Sequence, residues 1–186
     1  MSWKIPDERT IIGCCTGIDT PKALAVVRIS GFTNLKQFKN LFSVDLTNVI
    51  PRKVYLTNVV EDCEIIDSVL ICFFSSPHSY TGENILEISC HGNPLIVEQI
   101  IMLFVNADVG IRTAINGEFT YRALKNKKMN LLQVEGLDLV LNSGNDYSLK
   151  QGQQLMSGEL HACFNQIRES FLRLRASLEV SIDFSE

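Results

Sequence analysis

Ser79-Tyr80-Thr81-Gly82-Glu83-Asn84-Ile85-Leu86-Glu87-Ile88-Ser89-Cys90-His91-Gly92 is the run that decides how this chain is read. It holds a polar turn with a glycine, a strand rich in branched apolar residues, and a His-Gly exit. Side chains alternate across a strand, so Ile85, Glu87, Ser89 and His91 share one face while Leu86, Ile88 and Cys90 share the other. Glu87 therefore lies on a mostly polar face. A carboxylate there suits a ligand with two adjacent N–H donors, such as the amino-pyrimidinone edge of a pterin, because its two oxygens accept both bonds in parallel. A solvent-facing glutamate on a half-exposed sheet is the simpler alternative.

Working outward, Thr10 to Thr16 and Ala23 to Ser30 are β-branched runs bounded by Gly17, Thr20-Pro21 and Gly31, which predicts two adjacent strands. Asn34 to Phe42 reads as a short amphipathic helix. Val54 to Val60 and Ile65 to Phe74 predict a hairpin joined through Glu61-Asp62-Cys63-Glu64. After Gly92-Asn93-Pro94, the spacing of Leu95, Val97, Ile100, Ile101, Leu103 and Phe104 predicts a helix with proline in its first turn. Beyond about Lys125 the pattern turns helical. Leu131, Leu132, Val134, Leu137, Val140 and Leu141 form one stripe. Met156, Leu160, Phe164, Ile167, Phe171, Leu174, Leu178 and Ile182 form another along one long helix. That second stripe demands a partner surface: the preceding helix, a heptad-like seam between subunits, or further helices. The fold class expected is α+β, followed by helices.

Arg28 stands mid-strand in Ala25-Val26-Val27-Arg28-Ile29-Ser30-Gly31, where a long cation needs a partner. Both an anionic ligand and Glu87 qualify. His91 and His78 lack a Cys, Asp or Glu at ligand spacing, so no metal site is expected, and His91 is read as shaping the strand exit. In Gly117-Glu118-Phe119-Thr120-Tyr121-Arg122-Ala123-Leu124-Lys125-Asn126-Lys127-Lys128, a glycine-led helix start precedes a basic end. There Lys128 either reaches an anionic ligand tail or is solvated.

With 186 residues, 46% of them apolar, the chain is long enough to bury a core. Its six cysteines form no C-x-x-C pair and are read as buried free thiols. A net charge of −4 argues against strong non-specific nucleic-acid binding. No apolar run reaches the ~18 residues of a membrane span, and the first residues lack a leader's apolar core, so a cytoplasmic location is expected. Neither Gly-x-x-x-x-Gly-Lys-Ser/Thr nor Gly-x-Gly-x-x-Gly occurs, which excludes GTP or dinucleotide binding by those loops. No Gly-x-Ser-x-Gly elbow occurs either.

Four blocks, Val27-Arg28-Ile29-Ser30-Gly31, Ser79-Tyr80-Thr81-Gly82-Glu83 through His91-Gly92, Gly117-Glu118-Phe119-Thr120 with Arg122-Ala123, and Ile182-Asp183-Phe184, resemble in order the tRNA modification GTPases of the MnmE (TrmE) family. The resemblance implies an N-terminal domain over residues 1–125 with a fold like the folate-binding domain of glycine-cleavage aminomethyltransferases. That domain would homodimerise and bind 5-formyltetrahydrofolate or a related tetrahydrofolate. Residues 126–186 would be the first helices of a central helical domain. The family's potassium-stimulated G domain, with its GTP, Mg and K, is absent from this chain, which is not expected to hydrolyse GTP by itself. An FAD-dependent MnmG (GidA)-type partner would join the full protein in modifying carbon 5 of the wobble uridine in tRNA.

By position, the resemblance assigns folate contacts to Arg28, Glu87 and Lys128, with Glu87 on the pterin edge and the two cations on carbonyl or carboxylate groups. Departures from the family pattern fall at Ile18-Asp19-Thr20-Pro21-Lys22-Ala23, which replaces a glycine-rich loop, at Ile115-Asn116, at Asn93, and at Met129-Asn130-Leu131. A stand-alone folate-dependent aminomethyltransferase-like protein and a ligand-free dimerisation module are the competing readings.

Overall fold

The computed structural model describes residues 7–107 and 110–183. Residues 1–6, where a leader was looked for, and Phe184 of the last block lie outside them. The chain divides into two compact units, residues 1–128 and 129–186.

The first unit is built on a six-stranded sheet. Its strands are β1 (Thr10–Cys14), β2 (Lys22–Ser30), β3 (Val54–Glu61), β4 (Glu64–Phe74), β5 (Ile85–Gly92) and β6 (Ile111–Thr113), and their spatial order is β3-β4-β5-β2-β1-β6. All neighbours are antiparallel except β1 and β6. The β3–β4 turn is tighter than the four residues predicted: Asp62 and Cys63, both with positive φ, turn the chain between Glu61 and Glu64. That is the geometry of a two-residue primed turn, whose twist matches the strands it joins.

Helix α1 (Pro94–Asn106) follows β5 and leads back to β6. Asn93 caps it by accepting from the Leu95 N–H, and Pro94 opens it, where a missing amide donor costs nothing. Val97, Ile100, Leu103 and Phe104 of α1 are buried with Val27, Ile29, Ile71, Leu86 and Ile88 of the sheet. The segment predicted as an amphipathic helix is a 3-10 helix over Leu35–Leu41. It delivers Phe38 edge-on to Phe104, with ring centroids 5.3 Å apart. One face of the sheet is thereby closed.

The opposite face carries a gradient. Register places Ile11, Ser30, Ile85 and Phe74 in one row, Gly13, Arg28, Glu87, Cys72 and Val54 in the next, and Val26, Ser89, Leu70 and Leu56 in the third. Ile11, Ser30 and Ile85 are buried, while Leu56 is 73% exposed. The first row is covered by the Ser79–Glu83 turn and α2 (Glu118–Lys125): Ser30 Oγ lies 2.7 Å from Thr81 Oγ1 and donates to Glu83 Oε2 at 2.8 Å, and Arg122 Nη1 reaches Glu83 Oε2 at 3.1 Å. The row of Arg28 and Glu87 is thus the border between covered and open sheet.

The second unit contains α3 (Leu131–Asn142), α4 (Asp146–Ser157) and α5 (Glu159–Asp183). Asn130 and Gln133 form a reciprocal capping box at the start of α3. The long helix predicted from Met156 onward is broken: Gly158 takes φ +81 and caps α4, so Met156 belongs to α4 and the stripe starts again in α5. No residue of α5 is buried: its first turn meets α4 near Leu155 and Leu160, while Phe164, Phe171 and Leu174 of the stripe stay more than half exposed.

Gly136 of α3 and Gly152 of α4 are the buried residues of their helices. A Cβ at Gly136 would lie 2.8 Å from Gly152 O, and one at Gly152 would lie 2.8 Å from Val140 Cγ2. Backbone occupies the space a methyl group would need. Gly136→Ala and Gly152→Ala are each expected to destabilise this unit by about 1–3 kcal/mol, the range for overpacking, and far-UV circular dichroism melts should show helix loss at lower temperature.

Candidate functional site

The central pair of the border row meets directly. Arg28 and Glu87 face one another across β2 and β5, and Arg28 donates from Nε at 2.9 Å and from Nη2 at 2.6 Å, both to Glu87 Oε1. Of the two partners open to Arg28 from the sequence, the structure uses Glu87. Both bonds fall on one oxygen, and among the described residues Oε2 receives none. The side chains are 19% and 27% exposed, wet enough to admit a ligand yet ordered by their surroundings.

Two aromatic rings frame the cation. The guanidinium carbon lies 5.1 Å from the Tyr80 ring centroid and 5.6 Å from that of Phe119, within cation–π range. Tyr80 OH lies 2.9 Å from Thr120 Oγ1, linking the turn to α2. Gly13, the register partner of Arg28, leaves room for Phe119: a Cβ there would come within 3.4 Å of the ring. A concavity beside this frame is lined in part by Gly13, Cys14, Gly17, Ile18, Asp19 and Phe119. The loop that departs from the family pattern therefore lines it. Lys22 closes that loop, its ammonium donating to the Thr16 and Gly17 carbonyls.

Lys128 stands apart from the pair, with Nζ on the Pro77 carbonyl at 3.1 Å. Its place is set by the end of α2. Lys127 adopts φ +57, its N–H donates to Leu124 O, and the Lys128 N–H donates to Ala123 O, a Schellman closure. The lysine stem lies along Gly82, whose φ of +79 suits glycine and where a Cβ would meet Lys128 Cγ at 3.2 Å.

Two thiols flank the pair, Cys15 at the end of β1 and Cys72 across from Glu87. Burial pushes both thiols up. Arg28 pulls Cys15 back and Glu87 adds to the rise, while for Cys72 Glu87 adds to the rise and Arg52 opposes it. Both are protonated at neutral pH and poor nucleophiles. The six cysteines are free as read, but only Cys90 is buried, its thiol pushed up to about 11 by burial. Cys63 lies in the β3–β4 turn and Cys163 on α5, and both are exposed.

At the strand exit, His91 Nδ1 lies 2.7 Å from Asp67 Oδ1, and the His91 N–H donates to Asp67 Oδ2 at 2.8 Å. Asp67 comes from β4, so spacing along the chain could not reveal it. Among the described residues no group of three or more His, Cys, Asp or Glu is placed to hold a metal.

Glu118, unremarked in the sequence, is wholly buried. It accepts from Arg112 Nη2 at 2.6 Å and Nη1 at 2.8 Å, from the Ile115 N–H at 3.0 Å and from Arg122 Nη2 at 3.1 Å. This network fixes α2, and with it Phe119 and Thr120, against β6. The i,i+4 spacing of Glu118 and Arg122 was the available signal.

An α+β domain with a charged, aromatic-framed site on one sheet face is the class these features define. Residues 10–128 match the family described as GTP-binding protein TrmE N-terminus, and the chain belongs to that family. It is 37% identical over 172 residues to the tRNA modification GTPase MnmE of Francisella tularensis subsp. holarctica (strain FTNF002-00 / FTA), covering 91% of this chain and 37% of that protein. The MnmE of Carboxydothermus hydrogenoformans is 36% identical over 169 residues, covering 88% of this chain and 36% of that protein. The chain spans little more than a third of the length of these curated relatives. Among the described residues no helix is long and apolar enough to cross a membrane.

Proposed function

We propose that this chain is the folate-binding, dimerising N-terminal part of a tRNA-modifying GTPase. The observation that carries the reading is the Arg28–Glu87 pair, framed by Tyr80 and Phe119 at the border of the open sheet face. The residues fit a reduced folate. Glu87 keeps Oε2 for a pterin N–H and accepts a second at Oε1 when Arg28 yields, and Arg28 keeps N–H donors for a ring carbonyl. Ser89, next to Glu87 on the same face, is small and half-buried. The bound folate supplies a one-carbon unit at the formyl level, while these residues bind and orient it. A likeness of this domain to the folate-binding domain of aminomethyltransferases belongs to the same proposal.

The open face supports the dimer. Leu24, Leu56 and Leu70 are 65%, 73% and 45% exposed on it, and Leu56 pairs with Leu70 across β3 and β4. A second copy covering this patch would remove apolar surface from water and close the folate site. GTP hydrolysis, with Mg and K, is assigned to a G domain outside this chain. Action on the wobble uridine of tRNA, in the cytoplasm and with an FAD-dependent partner, is assigned to the whole assembly.

Titration calorimetry with 5-formyltetrahydrofolate should give saturable binding at one site per chain, and sedimentation should give a dimer. A dimer without folate binding would leave the ligand-free module, which the altered Ile18 to Ala23 loop favours. Tetrahydrofolate-dependent turnover by the chain alone would instead support the aminomethyltransferase-like reading.

A further inference from the structure

Arg52 belongs to the same face, although it precedes β3. Its φ of +64 turns it out of the strand direction, and its N–H donates to Phe73 O at 2.7 Å while Nη2 donates to His78 O at 2.9 Å. Lys128 Nζ meets the adjacent carbonyl of Pro77. Two cations from opposite sides of the fold thus converge on consecutive carbonyls of one turn. Each carbonyl takes a single N–H and neutralises no charge. Four N–H groups of Arg52 and two of Lys128 remain for other acceptors. Among the described residues neither cation has an ion-pair partner.

The turn also ties this cation pair to the Arg28–Glu87 site. Tyr80, three residues after Pro77, stacks on Arg28, and three residues span at most about 11 Å. Cys72 bridges on the other side: it faces Glu87 across β4 and β5, and its thiol feels the charges of both Glu87 and Arg52. Both cations are thus anchored on the turn that carries Tyr80, and Arg52 also lies beside the strand neighbour of Glu87.

We propose that Arg52 and Lys128 form a two-cation clamp for the glutamyl carboxylates of the bound folate, so that the site prefers polyglutamyl over monoglutamyl forms. This rests on the folate reading above and adds Arg52 to it. A planar guanidinium grips a carboxylate through two parallel N–H groups while the ammonium acts as a point charge, so the pair suits successive carboxylates of a γ-linked chain.

The test compares 5-formyltetrahydrofolate monoglutamate with its triglutamate on the full 186-residue chain by titration calorimetry at low salt. The triglutamate is expected to bind about two- to fivefold tighter, as for exposed ion pairs, with the gap shrinking as salt is raised. Arg52→Gln should bring the ratio of the two affinities close to one, and Arg52→Lys should restore part of it. Equal binding of both forms by the unaltered chain, or an unchanged ratio in Arg52→Gln, overturns the clamp and leaves the folate site standing. Failure of both forms to bind overturns the folate reading and the clamp with it. Affinity for a short RNA that falls in Arg52→Gln, with the folate ratio at one, would assign the cations to RNA phosphates and likewise overturn the clamp.

Discussion

Glu118→Ala is expected to lower the stability of the first unit by about 3–5 kcal/mol, the range for breaking a buried ion pair by removing one partner. A domain of this size has a total of about 5–15 kcal/mol, so urea unfolding should shift its midpoint by a large fraction. Glu118 is wholly buried and takes four hydrogen bonds, three of them from Arg112 and Arg122. Without it, two buried or half-buried cations share one carboxylate fewer: Arg122 keeps Glu83 and the Arg9 carbonyl, and Arg112 keeps the exposed Asp7. Burial alone would raise the Glu118 carboxyl, but the hydrogen bonds from Arg112, the Ile115 amide and Arg122 outweigh it and hold the group below its ordinary value. A carboxyl lower in the folded than in the unfolded state stabilises above the unfolded value of about 4.3, and that contribution disappears as pH falls through the folded value. The acid limb of the stability curve should therefore be shallower in Glu118→Gln than in the unaltered chain. Equal acid limbs would show that this carboxylate does not couple folding to protons.

That network also marks where reading along the chain stops. The strands at Thr10, Lys22, Val54, Glu64 and Ile85 are legible because period-two alternation and Gly or Pro punctuation are local signals. β6 is not: Ile111–Thr113 is too short to show a period and forms only by pairing in parallel with β1, about a hundred residues earlier. The break at Gly158 is hidden by apolar residues that keep helical spacing on both sides of it, although the glycine itself was the sign. Arg28 was legible as misplaced, since a mid-strand cation is rare enough to demand a partner, and register then decides that Glu87 faces it. Tyr80, Phe119 and Arg52 were not, because each reaches the site from a different loop or helix. Asp67 meets His91 for the same reason, through strand neighbours distant in sequence.

Glu87→Ala should abolish measurable binding of 5-formyltetrahydrofolate, a loss of roughly a hundredfold or more. In the proposed folate site the carboxylate supplies both acceptors for adjacent pterin N–H groups, and each charge-assisted hydrogen bond is worth about 1.5–3 kcal/mol. The same substitution also frees Arg28, so a structural effect has to be separated from a ligand effect. The guanidinium is 19% exposed and stays between Tyr80 and Phe119, so water can replace part of what Glu87 gave it. The melting temperature is therefore expected to fall only slightly. Arg28→Ala and the double variant complete a cycle: coupling in stability measures the ion pair, and coupling in folate affinity measures shared contact with the ligand. Glu87→Gln discriminates further. It preserves shape but presents one carbonyl and one NH2 group, so whichever way it turns, a donor faces either Arg28 or a pterin N–H. Its affinity should lie much closer to that of Glu87→Ala than to that of the unaltered chain. Retention of near-full affinity in Glu87→Gln would mean that the carboxylate serves Arg28 alone and that the pterin edge is read elsewhere.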